Sequence, residues 1–244
     1  MKILIVRHGE PDYSIDSLTE KGWREAALLA DRLVKESADG YFVSPLGRAK
    51  DTARDTLRRL GREAEVLDWL EEFRGWFVDP CKSRRTHAWD LMPQYWTRCR
   101  ELLDLDAWRD NPLVATGNSA AIYDETAAGL DALLARYGYE RDGAIYRTQE
   151  NTNKTIVLFC HFGVASAMLS HLLRIPLYPL LHGFIMAPSS VTTLVSEERL
   201  QGEVWFRCTA LGDTSHLYVA GEPISHYGRF LEQYGVEDGL GGKP

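Results

Sequence analysis

The sequence predicts an α/β three-layer sandwich, with a mostly parallel central sheet and a helical, tryptophan-rich insertion acting as a lid. Three observations predict it. Short apolar and β-branched runs alternate with amphipathic stretches, the pattern of strands joined by crossover helices. That alternation breaks between about residues 76 and 150 and then resumes. Five of the seven tryptophans fall between Trp69 and Trp108, at the break. The 244 residues suffice for one large domain, so 1–244 reads as a single domain with a lid inserted at about 76–150.

Ile3–Val6 is the first apolar run and the first strand. Thr19 to Lys35 reads as a helix that Thr19 can cap, with Ala26, Ala27, Leu29, Ala30 and Leu33 on its apolar face. Gly40–Val43 is a second strand running into Ser44-Pro45, and the stretch from about Leu46 to Leu60 is a helix with arginines on its exposed side. Ala64–Leu67 is a third short strand. Inside the insertion, helical segments are expected over 88–109 and 119–136. Thr155–Cys160 is a strongly apolar strand, followed by a helix over Val164–Leu173 and strands near 191–196 and 203–210. The glycine-rich tail "GLGGKP" is expected to be mobile and lacks the spacing of a phosphate-binding P-loop.

Composition excludes several classes of function. A net charge of −7 argues against a nucleic-acid binder, which would show a basic face, but leaves room for a local basic pocket. Cys81, Cys99, Cys160 and Cys208 are far apart and include no CxxC pair, which fits reduced thiols in the cytoplasm better than a disulfide framework or zinc site. No apolar run approaches the roughly 18 residues of a membrane span. Residues 1–6 are too short for the core of a signal peptide, and the sequon Asn153-Lys154-Thr155 is read as accidental. The expected partner is a small molecule, with no nucleic acid and no membrane; a homodimer is the one macromolecular partnership entertained.

Chemistry gathers at the strand ends, where ligands of open α/β sheets bind. After the first strand come Arg7 and His8; after the second, Ser44, Pro45 and, one turn on, Arg48. After the third comes the pair Glu71-Glu72, before Gly75, and after the strong later strand comes His161. Each alone reads as a satisfied structural histidine or a solvated charge. Together they deliver two arginines, two histidines and a carboxylate to one rim.

The blocks "VRHGE" at 6–10, "LTEKG" at 18–22, "SPLGRAKDTA" at 44–53, "LEEFRGW" at 70–76 and "FCHFG" at 159–163 resemble the histidine phosphatase superfamily, the phosphoglycerate-mutase-like proteins, in its cytosolic branch. The resemblance covers roughly the first 76 residues and those from 155 onward. It implies a metal-independent phosphomonoester hydrolase that works through a phosphohistidine on a small phosphorylated metabolite, with no cofactor and no metal. It makes His8 the nucleophile, Arg7 and Arg48 the phosphate clamps, and His161 the second pocket histidine. Glu71 becomes the proton donor, four residues before Gly75, with Glu72 the competing choice; Ser14 and Phe162 fall on the phosphate-binding side. The physical logic is independent of the name. A phosphoryl group in flight spreads charge over three oxygens that guanidinium forks can meet. A neutral imidazole can attack phosphorus. One carboxyl group can protonate the leaving alkoxide and later take a proton from water.

The pattern departs from the family at Pro11 and Ser14, where Thr and Asn are common, and at Phe162, which separates His161 from Gly163. Pro11-Asp12-Tyr13 does not match the RHGxRxP pattern of the related acid phosphatases. A phosphomutase and a non-catalytic phospholigand-binding protein remain the alternatives, and substrate identity stays open. Lys82, Arg84, Arg85 and His87 read as a solvated loop over an aromatic mini-core, or else as a grip on a second anionic group or an aromatic leaving group. Asp213 and His216 are expected to fix a turn, and His171 and His182 to be structural.

Overall fold

The computed structural model describes residues 1–79, 83–150 and 152–227. Lys82, Cys81 and the glycine-rich tail lie outside them. In chain order the first strands are β1 (Lys2–Arg7), β2 (Pro11–Asp12) and β3 (Ser17–Leu18), followed by α1 (Glu20–Leu33), β4 (Gly40–Val43), α2 (Gly47–Leu60) and β5 (Glu65–Val66). A middle stretch holds the hairpin strands β6 (Trp76–Asp79) and β7 (Arg84–His87), α3 (Pro93–Trp96), α4 (Ser119–Ala135), β8 (Glu140–Asp142) and β9 (Ile145–Arg147). The chain continues through β10 (Thr155–Cys160), α5 (Phe162–Leu173), α6 (Leu177–Gly183), β11 (Val191–Leu200), β12 (Glu203–Asp213) and α7 (Ser215–Ala220).

Eight of the described strands form one sheet in the order β5-β4-β10-β1-β11-β12-β9-β8. The half from β5 to β1 is parallel, with Arg7 opposite Cys160 and Phe159 opposite Val43. The half beyond β1 is antiparallel throughout. The sheet is therefore mixed, not mostly parallel. Two short turns decide this, because a parallel partner needs a crossover of a dozen residues or more whereas a two-residue turn returns the chain antiparallel. Gln201-Gly202 joins β11 to β12, with Gly202 at φ +79°, and Gly143-Ala144 joins β8 to β9, with Gly143 at φ +56°.

Alternation along β1 assigns the two faces. Ile3 and Ile5 pack with residues of α4, α5 and α6, including Leu130, Met168 and Leu180. Leu4 and Val6 pack with Leu29 and Leu33 of α1 and with Ala49 and Ala53 of α2. Helices thus cover both faces, and the two central strands β1 and β10 are buried almost end to end.

The expected continuous helix over 88–109 is not formed. A single helical turn at α3 is followed by 3-10 turns at Arg100–Leu103 and Ala107–Asp110. Asp104 is one reason: its Oδ1 accepts the backbone N–H groups of Asp106 and Ala107 at 2.9 Å, closing a local turn where a helix would need those donors. Trp108 is fully buried against Tyr123 and Tyr178. Beyond it α4 packs on α5, and β8 and β9 extend the central sheet, so 119–147 contributes to the framework.

Candidate active site

β1 hands the chain to the site without a break in pairing. Arg7 N–H donates to Ser190 O (3.1 Å), His8 N–H to Cys160 O (2.9 Å), and Ser189 N–H to His8 O (3.0 Å). Gly9 follows because a Cβ there would stand 2.9 Å from Gly22 O on the first turn of α1. Its own N–H donates to Thr52 Oγ1 at 2.9 Å, and the Thr52 hydroxyl donates to Arg48 O at 2.8 Å. One threonine thereby ties the His8 loop to the helix that carries Arg48.

His8 is 2% exposed, and its Nδ1 lies 2.7 Å from Gly9 O. A carbonyl only accepts, so Nδ1 carries the proton and the lone pair sits on Nε2. The ring of His161 is 5.1 Å away, centroid to centroid. His161 caps the start of α5, and its Nε2 lies 2.7 Å from Ser44 Oγ. Burial pushes both imidazoles well below their usual 6.5; Arg7 and Arg48 add to the effect at His8, and His8 and the same arginines at His161. Both are neutral at cellular pH.

Arg7 and Arg48 are buried, and each is aimed by one anchor. Arg7 Nη1 donates to Met186 O at 2.5 Å, with its guanidinium 5.7 Å from the Phe162 ring. Arg48 Nη1 donates to Asp16 Oδ1 at 2.6 Å and lies 5.2 Å from the Tyr13 ring. The other oxygen of Asp16 accepts Gly47 N–H at 2.7 Å, so this residue caps α2 and orients Arg48 at once. Among the described residues no acceptor meets Arg7 Nε, Arg48 Nε or His161 Nδ1.

Of the two adjacent carboxylates, the structure brings Glu72 to the pocket and turns Glu71 away. Glu71 pairs with the exposed Arg74. Glu72 Oε1 accepts three backbone N–H groups, from Phe73 (2.7 Å), Gly163 (2.8 Å) and Val164 (3.2 Å). Gly163 is required there: a Cβ would come within 2.8 Å of both Glu72 Oε1 and Trp89, and closer still to Phe73. Burial raises the Glu72 carboxyl above its usual range, against the opposing pull of those N–H groups and of Arg7 and Arg48.

Other expected residues land elsewhere. Ser14 is exposed, and both its N–H (2.9 Å) and its hydroxyl (2.5 Å) go to Asp12 Oδ1. Phe162 opens α5 and is buried beneath Arg7 with Trp89 edge-on to it at 6.2 Å. Arg84 and Arg85 are exposed on β7, with Arg85 held over the Trp76 ring at 4.1 Å. His87 stacks on Trp89 at 4.9 Å, so a row of aromatic rings leads from the hairpin to the pocket. Asp213 accepts Ser215 N–H (2.8 Å) and pairs with Arg32, fixing the turn into α7; His216 Nε2 meets Ser189 Oγ at 3.1 Å. His182 accepts Leu91 N–H, and His171 pairs with Asp131. Asp16, Thr52 and Trp89 were not singled out by the sequence, and Ser44 was placed at a strand end without a partner.

Among the described residues no group of three or more His, Cys, Asp or Glu side chains stands close enough to hold a metal ion, and no helix is long and apolar enough to cross a membrane.

Residues 3–102 match the family model of the histidine phosphatase superfamily, branch 1. Among curated proteins no sequence matches. Solved structures share the fold. A mutant phosphoserine phosphatase from Entamoeba histolytica, solved with phosphoserine, is 21% identical, with 88% of this chain and 98% of that chain covered and a TM-score of 0.60. A mycobacterial glucosyl-3-phosphoglycerate phosphatase is 20% identical, with 87% and 99% covered and a TM-score of 0.60. A protein described as mycobacterial hydrolase 1 is 22% identical, with 87% and 98% covered and a TM-score of 0.59. The match over 3–102 falls on the segment that contributes Arg7, His8, Arg48 and Glu72, so this part of the chain is similar to the histidine phosphatase superfamily, branch 1.

Proposed function

We propose that the protein is a phosphomonoesterase that passes the phosphoryl group of a small phosphorylated metabolite to His8 and then to water, without a metal. The observation that carries this reading is the lone pair of His8 Nε2, fixed by the Nδ1–H bond to Gly9 O and set beside two buried guanidiniums. In the first step Nε2 attacks phosphorus, the ester P–O bond breaks, and the leaving oxygen takes a proton from Glu72. In the second, Glu72 accepts a proton from water as its oxygen bonds to phosphorus and the P–N bond breaks. Arg7 and Arg48 meet the equatorial oxygens without reorganising, because Met186 O and Asp16 already hold them. Ser44 Oγ accepts Leu46 N–H, so its own proton can go to His161 Nε2, and His161 Nδ1–H then donates to a phosphoryl oxygen.

Two of the similar folds are named as phosphatases of phosphoserine and of glucosyl-3-phosphoglycerate, which supports a small phosphorylated substrate here. The tryptophan-rich part of the 76–150 segment serves as the lid, and Trp89 and Phe162 as its inner wall, within a single domain. Cys99, Cys160 and Cys208 are free thiols, which fits a cytoplasmic enzyme.

Quenching turnover of labelled substrate in base should trap a base-stable, acid-labile phosphoenzyme, and His8→Ala should abolish it. An adduct of normal level in His8→Ala would overturn the assignment.

A further inference from the structure

A second cavity lies at the far end of α5 from the active site. The helix starts beside His161 and has 12 residues, so its C-terminal end stands roughly 18 Å away. There α4, the end of α5, the β8–β9 hairpin and residues 105–109 line an open cleft of about 430 Å³, a volume suited to a small molecule.

Its lining is cationic in an acidic protein. Arg109, Arg141 and Arg174 all contribute, against the carboxylates Asp106 and Asp124, in a chain whose net charge is −7. The pairing is incomplete. Arg109 is matched to Asp124 at 2.9 Å, whereas Arg174 reaches Asp106 only at 3.8 Å. Arg141 spends its Nε on Gly143 O (2.8 Å) and an Nη2 proton on His171 O (3.4 Å), with its guanidinium 4.8 Å from the Tyr146 ring. Its Nη1 is buried and meets no acceptor among the described residues. A buried charged donor left without an acceptor is costly, and an oxyanion is the partner that a planar guanidinium fork matches best. Tyr123 and Ser170, whose hydroxyls lie 3.2 Å apart in the same wall, add two groups able to donate. Asp131 Oδ1 accepts from Tyr146 OH and lies 2.8 Å from His171 Nε2.

We propose that this cavity is a second binding site, for a phosphate-sized oxyanion, either free phosphate or the phosphate group of a small metabolite. Arg141 is its inner anchor and Arg174 its outer one. The site involves no catalytic residue, so it stands or falls independently of the phosphatase reading.

Amide and arginine side-chain NMR signals can follow a titration with inorganic phosphate at both sites separately. Phosphate should shift Gly143, Ser170 and the Arg141 side chain as well as Gly9 and Gly163. Arg141→Gln and the exposed variant Arg174→Gln should each weaken the distal response at least tenfold while leaving kcat/KM for a small ester unchanged. Distal signals that stay still up to tens of millimolar phosphate would overturn the proposal, as would a distal response of full strength in both variants. Repeating the titration with glycerol 3-phosphate on His8→Ala protein distinguishes the two sources. Tighter distal binding than phosphate assigns the site to a phosphorylated metabolite, and equal or weaker binding to the free ion.

Discussion

His8 and Glu72 are shifted in directions that suit opposite roles at one pH. Burial keeps His8 neutral well below pH 6.5, so the acid limb of kcat/KM should lie on the acid side of that value. In the proposed mechanism Glu72 must be protonated to serve the leaving group. Its raised pKa widens the range in which it is, and activity should fall as pH rises through that value. Glu72→Gln should therefore erase the basic limb and lower kcat for alkyl phosphates by about 10²–10⁴-fold, the usual worth of a general acid. The loss should be smaller for para-nitrophenyl phosphate, whose leaving group needs little protonation. Glu71→Gln, which removes only the pair with Arg74, should leave both rates within a few-fold of wild type. A larger effect from Glu71 in parallel kinetics would return the donor role to that residue.

At the scale of elements, Asp16 joins the start of α2 to the orientation of Arg48. Asn can keep the positive φ of 47° and the bond from Gly47 N–H but loses the charge that aims Arg48. Asp16→Asn should thus lower kcat/KM with stability nearly unchanged, whereas Asp16→Ala should also cost about 0.5–2 kcal/mol for the lost cap. Equal unfolding midpoints for Asn, Ala and wild type would show that the cap contributes nothing. The contrast also shows what was legible in the sequence. Arg7, His8, Arg48 and His161 could be read because each follows a strand end or starts the next helix, so local pattern alone places it. Asp16, Ser44 and Thr52 act through bonds to residues more than 30 positions away, and no local pattern records those pairings. The Glu71–Glu72 choice turns on which way the chain rotates after a 3-10 turn at Asp68–Leu70. Spacing to Gly75 pointed to Glu71, whereas the N–H groups of Gly163 and Val164 hold Glu72 beside the pocket. The parallel half of the sheet was legible as apolar runs separated by helices. The antiparallel half hung on two glycine turns, Gln201-Gly202 and Gly143-Ala144, and the second lies inside what looked like an insertion.

For the molecule as a whole, buried neutral histidines tie stability to pH. His216 is held down to about 4, by burial first and by Arg32 second. Above its ordinary 6.5 the side chain is neutral in both folded and unfolded chains and adds no pH dependence. Below 6.5 the unfolded chain takes up a proton that the folded core refuses, so stability is lost as pH falls from 6.5 to about 4. The slope is up to about 1.4 kcal/mol per pH unit. His216→Gln removes this group, so urea unfolding across that range should show the variant gaining steadily on wild type; parallel curves would refute the linkage. The reversal of direction at β11 has a further consequence. A meander of two antiparallel strands brings its chain back to the edge from which it left, so parity alone returns the end of β12 to the mouth of the pocket. Asp213 pairs with Val191, which pairs with Val6, and the residues that follow place Ser225 on Glu10 and Tyr227 against Tyr13. The residues from the end of β12 up to Tyr227 are thereby delivered to the entrance, where their side chains can change which molecules are admitted while the histidines and arginines, held on other elements, keep their chemistry.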